Sequence, residues 1–99
     1  MLEIKTLPEF DKWLRSLRDG ATQRRLVARL RKASLGLMGD VKAVGDGVMK
    51  MREHFGPGWR MYYLQRGNTL IVRLGGGDKS TQTADIQKTI TLANQLRSN

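Results

Sequence analysis

Ninety-nine residues make one small domain, 1–99, with room for a single modest core and none for a large cofactor-binding fold. Eighteen Lys and Arg against nine Asp and Glu give a formal charge of +9, which points to nucleic acid, an acidic protein or an anionic membrane as partner. With no cysteine and one histidine, disulfides, thiolate metal sites and multi-imidazole zinc sites are excluded, so chemistry without a metal or cofactor is expected.

The opening residues Met1-Leu2-Glu3-Ile4-Lys5 lack the cationic start and apolar run of a secretory signal, and the longest apolar stretch runs only from Met61 to Leu64. A cytoplasmic location with no membrane partner is therefore expected. Leu2 to Leu7 alternates as a short first strand does. Thr6 and Glu9 then fit a capping box around Pro8, and Phe10, Trp13, Leu14 and Leu17 form the apolar stripe of a helix that Asp19-Gly20 ends. A second helix is predicted from about Ala21 to Leu35, burying Leu26, Val27, Leu30 and Ala33, and the short linker predicts an antiparallel helix pair. Its other faces carry Arg24, Arg25, Arg29, Arg31 and Lys32 with no acidic residue in the segment to form i,i+4 pairs. These cations are either an ordinary solvated surface or an electrostatic contact with RNA, and RNA is the reading favoured for Arg25 and Arg29.

Ser34 to Gly47 carries Gly36, Gly39, Gly45 and Gly47 and reads as an irregular connection pinned by Leu37, Val41 and Val44. Three strands follow from Val48, ending at Gly75-Gly76-Gly77. A last helix is predicted from about Ser80 to Leu96, with Ile86, Ile90, Ala93 and Leu96 on its apolar side. The expected class is α+β, in the order βααβββα, with an antiparallel central sheet packed with helices.

Two turns set the expected register. Phe55-Gly56-Pro57-Gly58-Trp59 offers Pro and then Gly to a type II turn, and Arg66-Gly67-Asn68-Thr69 offers a two-residue hairpin loop. With a three-residue loop at 56–58, His54 opposes Arg60, Arg52 opposes Tyr62 and Lys50 opposes Leu64. Across the second loop Tyr62 opposes Arg73, Tyr63 opposes Val72 and Met61 opposes Leu74. Alternation then gathers Lys50, Arg52, His54, Arg60, Tyr62 and Arg73 on one face, and Met49, Met51, Phe55, Trp59, Met61, Tyr63, Val72 and Leu74 on the other. Glu53 on the core face and Leu64 with Ile71 on the basic face do not fit this pattern. A two-residue loop at Pro57-Gly58 would move Arg60 across the sheet and dissolve the cluster.

Like charges opposed across strands destabilise a sheet, so this convergence, with almost no acidic residue behind it, points to a bound phosphate rather than to side chains snorkelling from a solvated face. His54 is either a structural imidazole near a turn or, beside Arg60, a neutral ring able to accept a proton. Trp13 reads as core, and Trp59 as core in preference to a stacking platform. Gly75-Gly76-Gly77-Asp78-Lys79-Ser80 joins a strand to a helix and ends in Lys-Ser. A nucleotide loop needs Gly directly before that Lys and another Gly five residues earlier, where Asp78 and Arg73 stand, so an NTPase is not expected.

Nearly the whole chain resembles the RelE/ParE toxin superfamily, in particular its HigB-type, phage Gp49-like branch of addiction module killer proteins. The resemblance is carried by Gly39-Asp40-Val41-Lys42, by Gly45-Asp46-Gly47-Val48, by the run from Met51-Arg52-Glu53-His54 through Phe55-Gly56-Pro57-Gly58-Trp59-Arg60 to Met61-Tyr62-Tyr63, and by Gly76-Gly77-Asp78-Lys79-Ser80-Thr81-Gln82. It implies a bacterial type II toxin of compact microbial-RNase-like fold, an mRNA interferase that enters the ribosomal A site and cuts mRNA. Arg52 and Arg60 match the family's basic strand positions, Lys50 matches a further one more loosely, and Lys79 stands where a basic residue follows the last strand. Several relatives use a Tyr or His near the C-terminus for proton transfer. Nothing after Lys79 is either, so Tyr62, His54 or Lys79 would have to substitute.

The site expected from residues and resemblance together is Arg52, Arg60, Lys79 and His54 for catalysis, with Lys50, Tyr62, Arg73, Arg25 and Arg29 for RNA binding. The expected partners are the ribosome, mRNA and a helix-turn-helix antitoxin encoded next door, with operator DNA reached only through that complex. Two other readings stand beside this one: a ParE-like gyrase poison that catalyses nothing, and a nucleic-acid-binding module without activity.

Overall fold

Alternating strands and striped helices assemble in the order β1 (Glu3–Thr6), α1 (Pro8–Ser16), α2 (Gly20–Ser34), β2 (Val41–Gly45), β3 (Val48–Arg52), β4 (Arg60–Arg66), β5 (Thr69–Gly76) and α3 (Gln82–Arg97). The structure is a computed structural model that describes residues 1–77 and 82–97, with side chains in α3 described for 84–91. Its sheet has the order β1-β5-β4-β3-β2. β1 runs parallel to β5 and the other pairs are antiparallel, so the sheet is mixed rather than wholly antiparallel.

The order βααβββα is corrected to βααββββα, because the glycine-rich connection contains β2. Its signal is Asp46-Gly47, where both residues take positive φ (51° and 79°), as the tight hairpin turn joining β2 to β3 requires. The pairing slips between Ala43 and Gly45, so that Val41, Lys42 and Ala43 face Met51, Lys50 and Met49.

Helix α1 starts without the expected capping box. Thr6 is still in β1, paired with Val72, and Leu7 is the N-cap without a side-chain bond, while Pro8 occupies the first turn where a missing N–H costs nothing. Asp19 caps α2, its carboxylate accepting from Ala21 N at 3.1 Å and from the Thr22 hydroxyl at 2.9 Å. Leu26, Leu30 and Ala33 are buried as expected, but Val27 is 43% exposed.

One face of the sheet and helices α1 and α2 enclose the main core: Phe10, Leu26, Leu30, Ala33, Met51, Met61, Tyr63, Leu70 and Val72, with Trp13 and Trp59 packed against it. Each large side chain withdrawn from water there contributes about 1.5–3 kcal/mol. The second face holds a smaller core of Val48, Tyr62, Leu64 and Leu74, closed by Val44 of β2 and by Ile86 and Ile90 of α3. Leu64, an apparent misfit on the basic face, is thus explained by α3 lying over it.

The hairpin between β3 and β4 is longer than expected. Gly58 N donates to Phe55 O, which puts Gly56 (φ 57°) and Pro57 at the centre of the turn, and Glu53 N donates to Trp59 O. Arg52 therefore faces Arg60, Met51 faces Met61 and Lys50 faces Tyr62. The expected pairs His54–Arg60, Arg52–Tyr62 and Lys50–Leu64 are corrected by a two-residue shift. A shift of two leaves every side chain on its own face, so the basic face survives the error.

Between β4 and β5 the register slips at Tyr62 and Tyr63: Tyr63 faces Val72 as expected, but Tyr62 faces Leu74 and Met61 faces Gly75, with Arg73 the inserted residue of the bulge. Leu74 accordingly joins the second core instead of the main one. The glycine run that ends β5 is a packing device. A Cβ on Gly75 would run into the Trp13 ring, one on Gly76 into the Asp85 carboxylate and one on Gly77 into Trp59.

Candidate functional site

Three adjacent strands lay two rows of side chains across the second face of the sheet. Register places Asp40, Arg52 and Arg60 in one row and Lys42, Lys50 and Tyr62 in the next. The first row is continued beyond the end of β2 by a hydrogen bond from Arg52 N to Asp40 O at 2.9 Å.

Asp40 is the residue that sequence reasoning missed. Its carboxylate takes both hydrogen bonds of one edge of the Arg52 guanidinium, Nε to Oδ2 at 3.0 Å and Nη2 to Oδ1 at 3.1 Å. The same Oδ2 lies 2.6 Å from His54 Nε2. The side-chain bond from Arg52, then that from His54, hold the Asp40 carboxyl below its ordinary value of 3.8, so it is ionised at neutral pH. The expectation of a cluster with almost no acid behind it is therefore corrected: a carboxylate joins Arg52 to His54.

A bulge brings Asp40 there. Without the slip near Val44, the Gly45–Val48 register would carry Asp40 opposite Glu53, on the other face of the sheet. Asp46-Gly47 is a signal that could have revealed this hairpin; the extra residue that reverses the parity has none.

Arg29 fixes the same corner from the main-core side. Its Nη1 donates to Arg52 O at 3.0 Å and to Glu53 Oε1 at 2.8 Å, and its Nη2 donates to Met38 O at 2.9 Å and Asp40 O at 3.0 Å. Gly39 (φ 67°) leaves room for that guanidinium. Arg29 is thus a clamp between α2 and the ends of β2 and β3, not the free cation expected for RNA. It also accounts for Glu53 on the core side, whose carboxylate it pairs.

Arg60 is 7% exposed, its Nη1 donating to Gly58 O at 2.6 Å, while Nε has no partner among the described residues. Lys50, 6% exposed, has its pKa lowered first by burial and then by Arg60, Arg52 and Lys42. Tyr62 is fully buried, and its hydroxyl has no partner among the described residues. Burial first, and then the Asp85 charge, push that phenol up to about 12, against a smaller opposing effect of Arg60. Tyr62 is therefore core on the basic face, and its depth makes it a poor proton donor near neutrality.

Arg73 is buried at the bulge, its pKa lowered by burial and supported by Glu9. It does not face Tyr62 as expected. Arg25 is exposed, its guanidinium 3.6 Å from the centre of the Phe55 ring. Trp59 packs edge-on against Trp13 at 6.0 Å, the core role expected of it. Lys79 lies outside the described residues. The structure thus brings together Lys50, Arg52, His54, Arg60 and Tyr62, adds Asp40, and sets Arg25, Arg29 and Arg73 in other surroundings.

An arginine carries five N–H donors. Asp40 takes two of Arg52's, which leaves the second Nη2 hydrogen and both Nη1 hydrogens on another edge of a side chain that is 36% exposed. That edge can donate to two phosphate oxygens while Asp40 stays in place.

Among the described residues, no helix is long and apolar enough to cross a membrane, and no group of three or more His, Cys, Asp or Glu could hold a metal ion. No family model matches the chain. An uncharacterized protein of Haemophilus influenzae is 38% identical over 95 residues, which is 96% of each chain. The solution structure of the conserved hypothetical protein HP0894 from Helicobacter pylori matches 77% of this chain and 93% of its own length, with a TM-score of 0.54 and 23% identity, a likeness of fold.

Proposed function

The chain belongs to the same family as the Haemophilus influenzae protein, and from its basic sheet face we propose that it is the toxin of a bacterial type II toxin–antitoxin system, a RelE-like, HigB-type endoribonuclease that cuts mRNA on the ribosome. The observation that carries this reading is the direct opposition of Arg52 and Arg60 across β3 and β4, with Lys50 beside them on the same face. Opposed like charges weaken a sheet, and burying Arg60 with its Nε unpartnered among the described residues adds to that cost. A polyanion recovers it.

In the proposed reaction the ribose 2′-oxygen attacks the adjacent phosphorus and the 5′-oxygen leaves. Negative charge grows on the nonbridging oxygens, where the open edge of Arg52 and the Arg60 guanidinium would stabilise it. His54 serves as proton acceptor, and Lys79 keeps the cationic role that the resemblance implies. In-line alignment by the ribosome can contribute about 7–11 kcal/mol, so a sparse acid–base set suffices there and free RNA is cut poorly. Exposed cations of α2, Arg25 among them, would meet RNA as an outer contact. Restraint by a helix-turn-helix antitoxin encoded alongside, and action in the cytoplasm, complete the proposal.

The test is to map mRNA 5′ ends after brief induction of the wild-type protein, Arg52→Ala and Arg60→Ala. Cuts at fixed codon positions that vanish in both variants are the expected result. Intact mRNA together with arrested gyrase supercoiling would replace this reading with that of a gyrase poison.

A further inference from the structure

The Asp40 carboxylate is shared between a guanidinium and the chain's single imidazole, an arrangement that neither composition nor family resemblance assigns to chemistry. Because an ionised carboxylate only accepts hydrogen bonds, the 2.6 Å contact with Oδ2 requires the proton of a neutral His54 ring to sit on Nε2. Nδ1 then carries the lone pair. The His54 side chain is 72% exposed and makes no other hydrogen bond among the described residues, so this lone pair is open to a substrate.

Asp40 is itself held more firmly than a surface acid usually is. Its carbonyl oxygen accepts from Arg29 Nη2 and from Arg52 N, and its carboxylate takes a two-point bond from Arg52. The imidazole is therefore referenced, through one oxygen, to the arginine whose other edge is left open by Asp40.

Building on the nuclease reading, we propose that Asp40 is a positioning residue: it fixes His54 in the Nε2–H tautomer and holds it in register with Arg52, so that Nδ1 takes the 2′-hydroxyl proton beside the phosphate Arg52 binds. The 2′-oxygen–phosphorus bond forms as the phosphorus–5′-oxygen bond breaks. The leaving 5′-oxygen takes a proton from water, and His54 later returns its own proton to solvent, leaving a 2′,3′-cyclic phosphate and a 5′-hydroxyl. Asp40 orients and stabilises the imidazolium and transfers no proton itself.

Asp40→Asn separates this role from a structural one. The amide still offers Arg52 an oxygen, but where it presents NH₂ to His54 it makes Nε2 the acceptor and drives the ring proton to Nδ1. Imidazole nitrogen NMR reads this directly on folded protein, since no other histidine contributes. The wild type is expected to show the Nε2–H form and Asp40→Asn the Nδ1–H form; the same tautomer in both would overturn the proposal.

Single-turnover cleavage of ribosome-bound mRNA is the second arm. Asp40→Asn is expected to slow cleavage about 100-fold or more, within the range of a positioned acid–base group. In a His54→Ala background the same substitution is expected to change the rate less than about threefold, because residues acting as a unit are not additive. Wild-type speed in Asp40→Asn, or an equal loss with and without His54, overturns the role given to Asp40. A wild-type protein that cleaves nothing on the ribosome overturns the nuclease reading instead.

Discussion

The two faces of the sheet follow different rules. The face under α1 and α2 buries Met51, Met61, Tyr63 and Val72 among apolar neighbours, and the Arg29 guanidinium at its rim is met by three carbonyls and a carboxylate. The face toward α3 is apolar only along Val48, Tyr62, Leu64 and Leu74. Beside that strip Lys50, Arg52 and Arg60 crowd together, with the Arg60 Nε and the Tyr62 hydroxyl left without partners among the described residues. Arg29 makes four side-chain hydrogen bonds, with its Nε alone left without a partner among the described residues, whereas Arg60 makes one; on the proposed function, stability and binding then lie on opposite faces.

The largest test of that division pairs Arg60→Ala with Met61→Ala, neighbours in sequence that point to opposite faces. Arg60→Ala is expected to lower ribosome-dependent cleavage about 100- to 1000-fold, as loss of one stabilising donor does, while the protein stays folded. Met61→Ala is expected to cost about 2–5 kcal/mol in denaturant unfolding and to leave the activity of the folded fraction intact. Equal activity losses in the two would end the distinction.

Arg29→Ala should come next. Its removal strands Glu53, whose side chain is 19% exposed, and frees the ends of β2 and β3, for about 3–5 kcal/mol of stability before discounting for that partial exposure. If unfolding is unchanged, the clamp is ornamental and Arg29 returns to the set of RNA contacts. Gly75→Ala, which asks the Trp13 ring to move, is expected to cost about 1–3 kcal/mol by overpacking, read as a lowered melting temperature.

The smallest effect is the acid limb. Asp40 has its pKa depressed by folding, so it adds stability above the ordinary value of 3.8 and loses it as pH falls through the lower folded value. The melting temperature of Asp40→Asn should therefore lie below that of the wild type near neutral pH, with the gap closing below about pH 3.8. A gap that widens with acid would show that Asp40 is not held ionised by Arg52 and His54.

Much of this was legible in the chain. Period-two alternation separated Met51 and Met61 from Arg52 and Arg60, and no error of an even number of residues could undo that. The helices followed from their apolar stripes, and Asp19-Gly20, read as the break after α1, also supplies the cap of α2. What escaped notice came from odd slips. The extra residue at Val44 decides which face Asp40 takes, the one at Arg73 moves Leu74 between cores, and neither has a side-chain signature of its own. Arg29 was misread because a helix surface pattern records which way a residue points, not which carbonyls of a distant loop converge on it.

The connection from His54 to Gly58 also constrains how relatives of this chain can differ in length. Losing one residue there would turn Arg60 inward against the methionines and push Met61 out among the cations, whereas losing or gaining a pair would leave both where they belong. Homologues are thus expected to vary at this hairpin tip in steps of two, or to carry a compensating bulge nearby.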